Sequence, residues 1–344
     1  MSPKNLNVSN KTHKKISNQL KDKNIFQIYK KFENKLNLNQ DFIVGVSGGT
    51  DSLALCFLSK IYSIKNSLNS YYFIVDHKLR KNSFAEAKSV KNLLKKFNIN
   101  LEIIKWYGKK PTSNIQALAR NKRYNLLISQ ANKLNIKNIL VGHHVDDLYE
   151  NFFIRITRGS GLKGLISLGE KTNIQKINIL RPLINFEKKN LSYITNKVFN
   201  SFVVDPSNEN DKFKRVRIRK LVKNLQNEGL DKNKFLLTIK NLVDSNETIK
   251  FYVAKNLKNN TYTHKDKNLV ILSKEFFNQP HEVIFRSLTE LIKFVGKKYY
   301  PVRGKKVDNI IYEIKSKSKS SIKLTLGNCI IRKVNNSIIL VKEH

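Results

Sequence analysis

Short apolar runs alternate with longer amphipathic stretches through the first half of the chain. Phe42–Val46, Tyr71–Val75, Leu101–Lys105 and Asn138–Gly142 read as buried strands. Asp51–Ile61, Ser83–Phe97, Asn114–Leu134 and Val145–Thr157 carry helical spacing of apolar residues. This β-α-β-α order predicts an α/β fold, a doubly wound and mainly parallel sheet with right-handed crossovers. From about Arg215 the pattern turns helical and Lys-rich through Leu257, and from Leu269 a small α+β region follows. There Ile322–Leu326, Cys329–Lys333 and Ile338–Lys342 predict strands, the last two joined at Asn335-Asn336-Ser337. The expected domains are a basic flexible tail over 1–24, a nucleotide-binding catalytic domain over 25–214, a basic helical linker over 215–265 and a small RNA-binding domain over 266–344.

Ligands of such sheets collect at the C-terminal strand ends, where Ser47, Asp76 and His143 should emerge together. The first end carries Ser47-Gly48-Gly49-Thr50-Asp51-Ser52, a glycine turn between a strand and a helix. Glycines with φ > 0 turn successive N–H groups into one concavity, and the helix N-terminus adds partial positive charge. Hydroxyls of Ser47, Thr50 and Ser52 can add hydrogen bonds to phosphate oxygens. Asp51 sits badly beside bare phosphate, so it meets a metal ion or caps the helix. No Gly-Lys-Ser or Gly-Lys-Thr of the Walker type occurs in the chain.

The 65 Lys and Arg outnumber 26 Asp and Glu, a formal charge of +39. A body this basic attracts polyanions, which puts nucleic acid ahead of small acidic molecules as the large partner. Lys, Asn and Ile are all abundant in the chain, a pattern that nucleotide bias in a genome would also produce. No stretch approaches the roughly 18 apolar residues of a membrane span, and the polar start, Met1 to Asn24, does not resemble a signal peptide. The two cysteines, Cys56 and Cys329, suggest neither a disulfide framework nor a metal knuckle. A cytoplasmic setting is therefore expected.

Against that charge, Gly142-His143-His144-Val145-Asp146-Asp147-Leu148-Tyr149-Glu150 stands out as acidic. Helical spacing puts His143, Asp147 and Glu150 near one face, with Asp146 and Glu150 neighbours at i, i+4. Carboxylates so crowded need a cation, either Mg²⁺ or an ammonium group. Asp76-His77-Lys78-Leu79-Arg80 follows the second strand, where a residue can reach ribose, base or a second substrate. Arg120, Arg123 and Tyr124 share a helix face suited to phosphate or an acidic partner. Gly159-Ser160-Gly161-Leu162-Lys163-Gly164 spells G-x-G-x-x-G but follows a helix, so it reads as a flexible loop rather than a dinucleotide site. Flanked by Arg155, Arg158 and Lys163, it can close over substrate or RNA backbone. Asp205-Pro206-Ser207-Asn208 precedes Lys214, Arg215, Arg217, Arg219 and Lys220, which can meet RNA phosphates or developing charge.

In order and spacing these blocks resemble the tRNA(Ile)-lysidine synthase family of the PP-loop superfamily. The match runs through SGGxDS at Ser47–Ser52, Asp76–Arg80, Ala119–Tyr124, His143–Glu150, Arg158–Leu165, Arg181–Leu183 and Asp205–Arg219. It departs at Val216, Leu148 and Asn151, where Asn, Gln and Thr are usual. The resemblance implies a PP-loop, adenine-nucleotide α-hydrolase-like fold. It also implies an ATP-dependent ligase that adenylates the wobble cytidine of a CAU-anticodon tRNA(Ile), then joins free L-lysine to it. ATP would lie on Ser47 to Ser52 with His143 alongside, and Mg²⁺ on Asp51 and Asp146. Asp51, Asp147, Glu150 and Arg215 would be catalytic, with Asp147 and Glu150 on the lysine ammonium. The tRNA would meet Asp76, Arg80, Arg120, Arg123, Arg155, Arg158, Lys163 and Arg219; a homodimer stays open. The competing readings are a tRNA thiolase of the same superfamily, which typically needs paired cysteines, a small-molecule ATP-dependent ligase, and a non-catalytic RNA-binding module.

Overall fold

A computed structural model describes residues 16–78, 82–107, 115–203, 213–264, 269–297, 302–316 and 321–343. Arg80 and the Asp205–Asn208 segment lie outside them. The chain forms two compact units, one ending at Lys234 and the other starting at Phe235.

The first unit is built on a six-stranded sheet of β1 (Phe42–Val46), β2 (Ser70–Asp76), β3 (Leu101–Lys105), β4 (Asn138–Val141), β5 (Lys171–Ile174) and β6 (Ile177–Leu180). Its spatial order is β3-β2-β1-β4-β6-β5. All neighbours run parallel except β5 and β6, which form an antiparallel hairpin at the edge. That hairpin is absent from the sequence reading. Its turn residues Gln175 and Lys176 take φ 51 and 67 without the Asn or Gly that usually marks such a turn.

Alternate residues of β1 feed two cores. Phe42, Val44 and Val46 face the helices Lys23–Lys35, Thr50–Lys65, Ser83–Lys95 and Lys188–Phe199. Ile43 faces the helix Ile115–Lys133 through Leu127, Ile128 and Ala131. The Thr50–Lys65 helix is the most enclosed, since Leu53 through Leu58 are all fully buried. Part of the expected tail is structured. Ile16 is buried in the first core, Leu20 packs against it, and Asp22 caps the next helix by accepting from the N–H groups of Asn24 and Ile25.

The expected linker is divided. Helix Lys214–Asn227 packs against helix Val145–Ile156 and belongs to the first unit. Val216, the departure from the family pattern, is buried there beside Ile218 and Val222. Most of the long helix Lys232–Asn260 belongs to the second unit. That unit carries an antiparallel sheet in the order β7-β8-β11-β10-β9, from β7 (Thr261–His264), β8 (Leu269–Leu272), β9 (Ser321–Leu326), β10 (Cys329–Val334) and β11 (Ser337–Lys342). Helices His281–Val295 and Gly304–Ser316 cover one face, with Ile284, Leu288, Ile292 and Ile311 packed on Val270, Leu272, Ile331 and Leu340. The predicted hairpin forms with Val334 paired to Ser337. No helix among the described residues is long and apolar enough to cross a membrane.

Candidate active site

Strand order reverses around β1: β2 lies on one side and β4 on the other, so a crevice opens beyond their C-terminal ends. Ser47, Asp76 and His143 all emerge on that edge, as the topology demands.

The loop after β1 is organised by Ser52. Its hydroxyl accepts from the N–H groups of Ser47 (3.2 Å) and Gly48 (3.0 Å) and donates to the Gly49 carbonyl (3.0 Å). The Ser47 hydroxyl lies 3.1 Å away. Ser52 is buried, so it shapes the turn rather than offering a free hydroxyl to a phosphate. Gly48 has φ +85, and a Cβ there would sit 2.7 Å from Val90. The helix that follows starts at Thr50 with Gly49 as N-cap and no side-chain cap. Its first N–H groups and dipole are thus left for an anion.

Strand β4 meets this helix edge-on. A Cβ on Gly142 would lie 3.1 Å from the Asp51 carbonyl oxygen and 3.3 Å from the Ser52 Cα. That close approach sets His144 against Asp51, with Nε2 to Oδ2 3.4 Å. His144 is also the N-cap of the Val145–Ile156 helix, in a capping box where its own N–H donates to Asp147 Oδ2 (3.0 Å). In the neutral ring, Nδ1 accepts from the Asp146 N–H at 3.2 Å. In the cation, Nδ1–H meets the Asp146 carboxylate, 3.9 Å off. Burial opposes the charge, but the hydrogen bond to Asp51 and the nearby Asp147, Asp51 and Asp146 outweigh it and push the ring up to about 9. Burial likewise works against the Asp51 carboxylate, yet the His144 bond and charge leave it below its ordinary range.

His143 beside it is the opposite case. It is buried, and Arg120 Nη2 lies 3.1 Å from its Nε2; burial and three arginines, Arg120, Arg181 and Arg123, together outweigh the upward pull of Asp147. The ring falls to about 3 and stays neutral. The guanidinium can only donate, so Nε2 accepts and Nδ1 carries the proton. Arg120 and Arg123 both lie over the Tyr124 ring, at 5.4 and 5.8 Å. Arg181 donates to the Gly169 carbonyl and Thr172 Oγ1, both at 2.9 Å. One turn along the helix, buried Glu150 accepts from Arg219 Nε (2.9 Å) and Nη2 (2.7 Å). Arg215 Nε is 3.7 Å from the other oxygen. Burial raises the Glu150 carboxyl against the pull of Arg219.

Asp51, His143, Asp147 and Arg120 therefore share one site, with Asp146 at its rim and Glu150, Arg215 and Arg219 adjoining it. Asp76 reaches the same edge, but its Oδ1 is taken by the Lys78 N–H (2.9 Å) and the Ser83 hydroxyl (2.7 Å). Arg155 sits in the last turn of a helix of 12 residues, about 18 Å long, and Arg158 and Lys163 lie beyond its end, so all three stand apart from the helix start. The loop they flank is not loose. The Ser160 N–H bonds the Arg155 carbonyl, Gly159 takes φ +63, and Leu162–Leu165 form a short helix. His144 escaped the site reading. Its signal was a histidine in the N-cap position before two aspartates.

The doubly wound sheet, the uncapped glycine turn and the acidic helix start define a PP-loop ATP-binding protein. The PP-loop domain model matches residues 18–225. The tRNA(Ile)-lysidine synthase of Wolbachia pipientis wMel is 31% identical over 318 residues, covering 91% of this chain and 74% of the relative. That of Orientia tsutsugamushi (strain Boryong) is 32% identical over 318 residues, covering 89% and 70%. The chain belongs to the tRNA(Ile)-lysidine synthase family, and with it to the ATP-dependent ligases of tRNA modification. Among solved structures, the U34-tRNA thiolase NcsA from Methanococcus maripaludis, described with its [4Fe-4S] cluster, shares the fold. Its TM-score is 0.57 at 15% identity, over 64% of this chain and 79% of that one.

Proposed function

We propose that the protein joins free L-lysine to C2 of the wobble cytidine in a CAU-anticodon tRNA(Ile). ATP phosphates rest on the Gly48–Asp51 turn and the open N-terminus of the Thr50 helix. The ribose and base extend towards the end of β2. There Asp76 Oδ2, His77 Nδ1 and Trp106 Nε1 are buried without a hydrogen-bond partner among the described residues, and such atoms favour a polar guest. The cytidine O2 attacks the α-phosphorus and pyrophosphate leaves. The lysine amine then attacks C2, AMP leaves with O2, and the amine's protons are lost. Asp147, flanked by neutral His143, holds the ammonium and takes a proton in this reading. Glu150 can join it only as Arg219 yields. Arg120 and Arg123 stand ready for the negative charge of the adenylate or of the lysine carboxylate.

Among the described residues no cluster of three or more His, Cys, Asp or Glu side chains forms a metal cage. Mg²⁺ carried by phosphates needs only one or two carboxylates, and Asp51 with the rim residue Asp146 suits that role. An ion held there would supply positive charge to offset that of the departing pyrophosphate.

The Asp51–His144 contact carries this reading, because it fastens the phosphate turn to the acidic helix where a second substrate must enter. Sulfur transfer fits less well, since Cys56 and Cys329 are both buried and lie in different compact units. Incubation with ATP, Mg²⁺, lysine and unmodified tRNA(Ile), followed by mass spectrometry of the digested RNA, tests the proposal. One cytidine should gain a lysine; an unmodified cytidine, or one that gains sulfur instead, overturns it.

A further inference from the structure

The ends of β2 and β3 carry a surface that the reaction above leaves without a role. Side chains alternate as β3 ends. Trp106 turns inward, buried, its ring edge-on to His77 at 6.0 Å between centroids. Lys105 and Tyr107 turn outward, and Tyr107 is 76% exposed. Lys78 Nζ lies 4.7 Å from the Tyr107 ring centroid, and Lys105 Nζ lies 5.0 Å from that of Phe84, itself exposed. Phe84, Lys105, Tyr107 and Lys78 therefore form a row in which aromatic and cationic groups alternate.

The row is held in place from below. Lys78 has φ 51, in the left-handed region that non-glycine residues avoid. The buried Asp76 carboxylate keeps it there by accepting its N–H, and also accepts the Ser83 hydroxyl that precedes Phe84. One buried acid thus anchors both ends of the row. Its place is the ligand-bearing edge of the sheet, two strands from the phosphate turn, about 10 Å away.

Exposed rings scattered singly need no explanation, but rings interleaved with cations on a ligand edge suit one partner class. Single-stranded RNA offers a flat π face on every base and a phosphate between bases. An acidic peptide would use the lysines and leave the rings idle. We propose that Phe84, Lys105, Tyr107 and Lys78 form a stacking platform for an unpaired nucleotide flanking the one that reacts. The inference rests on the tRNA reading above and adds where the strand is gripped.

The test measures unmodified tRNA(Ile) binding by fluorescence anisotropy, with ATP affinity measured in parallel. Tyr107→Ala should weaken RNA binding about 10-fold or more, as loss of one stacked base does, while Tyr107→Trp keeps it. Lys78→Gln and Lys105→Gln should each flatten the log–log salt slope by about 1. ATP affinity should not move in any of the four. Failure of the wild-type protein to bind the RNA overturns the functional reading itself. Wild-type binding with an unimpaired Tyr107→Ala overturns the platform alone. So does a matching loss of ATP affinity, which would put the ring in the nucleotide site. Loss of binding to anionic vesicles with RNA binding intact overturns it in favour of a membrane surface.

Discussion

His144 and Asp51, 93 positions apart in a chain of 344 residues, meet with Nε2 3.4 Å from Oδ2. The contact joins the end of β4 to the first turn of the helix after β1, and its strength depends on a proton.

Because the folded His144 titrates at about 9 rather than its ordinary 6.5, its contribution to stability is full below about 6.5 and is lost as pH rises through 9. Denaturant midpoints of the wild type should fall across that window relative to those of His144→Asn. Parallel curves from pH 6 to 10 would remove the charge from this contact. The same substitution should lower ATP-dependent ligase activity by 10-fold or more, on the order expected when an oriented group at a reacting phosphate is lost.

Ser52→Ala removes the hydroxyl that gathers the Ser47 and Gly48 N–H groups. Leaving the buried Gly48 N–H unmet costs about 1–3 kcal/mol, whereas the Ser47 N–H can turn to water. The KM for ATP should rise with the loss of loop shape, and Ser52→Thr should recover part of it. An unchanged KM would mean that the glycines alone set the turn.

Arg219→Ala strands Glu150, which is buried. Breaking a buried pair costs roughly 3–5 kcal/mol, but Arg219 is 38% exposed, so water screens part of it and about 1–3 kcal/mol is expected. Glu150→Gln should cost less, since the charges left without their counter-ion, on Arg219 and Arg215, are 38% and 46% exposed and reach water. Thermal melts of both variants, with Arg219→Ala the lower, check this ordering. If Arg219 must yield to lysine, the same change should also lower the KM for lysine.

Gly296→Ala bears on the second unit. A Cβ there runs into the carbonyl oxygen of Gly327 and crowds Cys329 Sγ at 3.2 Å. Overpacking of this kind costs about 1–3 kcal/mol. The melt should shift downward while activity at low temperature persists.

Much of this architecture was legible because it is local. Each of the four strand-helix pairs announces itself by an apolar run and a spacing, and β1 and β3 have the bounds that spacing predicts. The hairpin of Lys171 to Leu180 was not legible, as its strands carry Thr172, Asn173 and Asn178 and its turn lacks a marker residue. Ile16 looked like tail because its neighbours are polar; what buries it is a core assembled from distant helices. Glu150 looked like a free carboxylate because its partner lies 69 residues on. Ser52 looked like a phosphate ligand because sequence shows a hydroxyl's presence and not its direction.

A side chain at Gly142 would start only 3.1–3.3 Å from the backbone of Asp51 and Ser52, so the segment bearing the histidines lies tight against the helix start that follows the glycine turn. With nothing to slide on, the two cannot drift independently: when an anion settles into one, the other is already in register. A single methyl group at that position should act as a wedge, loosening both at once while the sheet behind them stays whole.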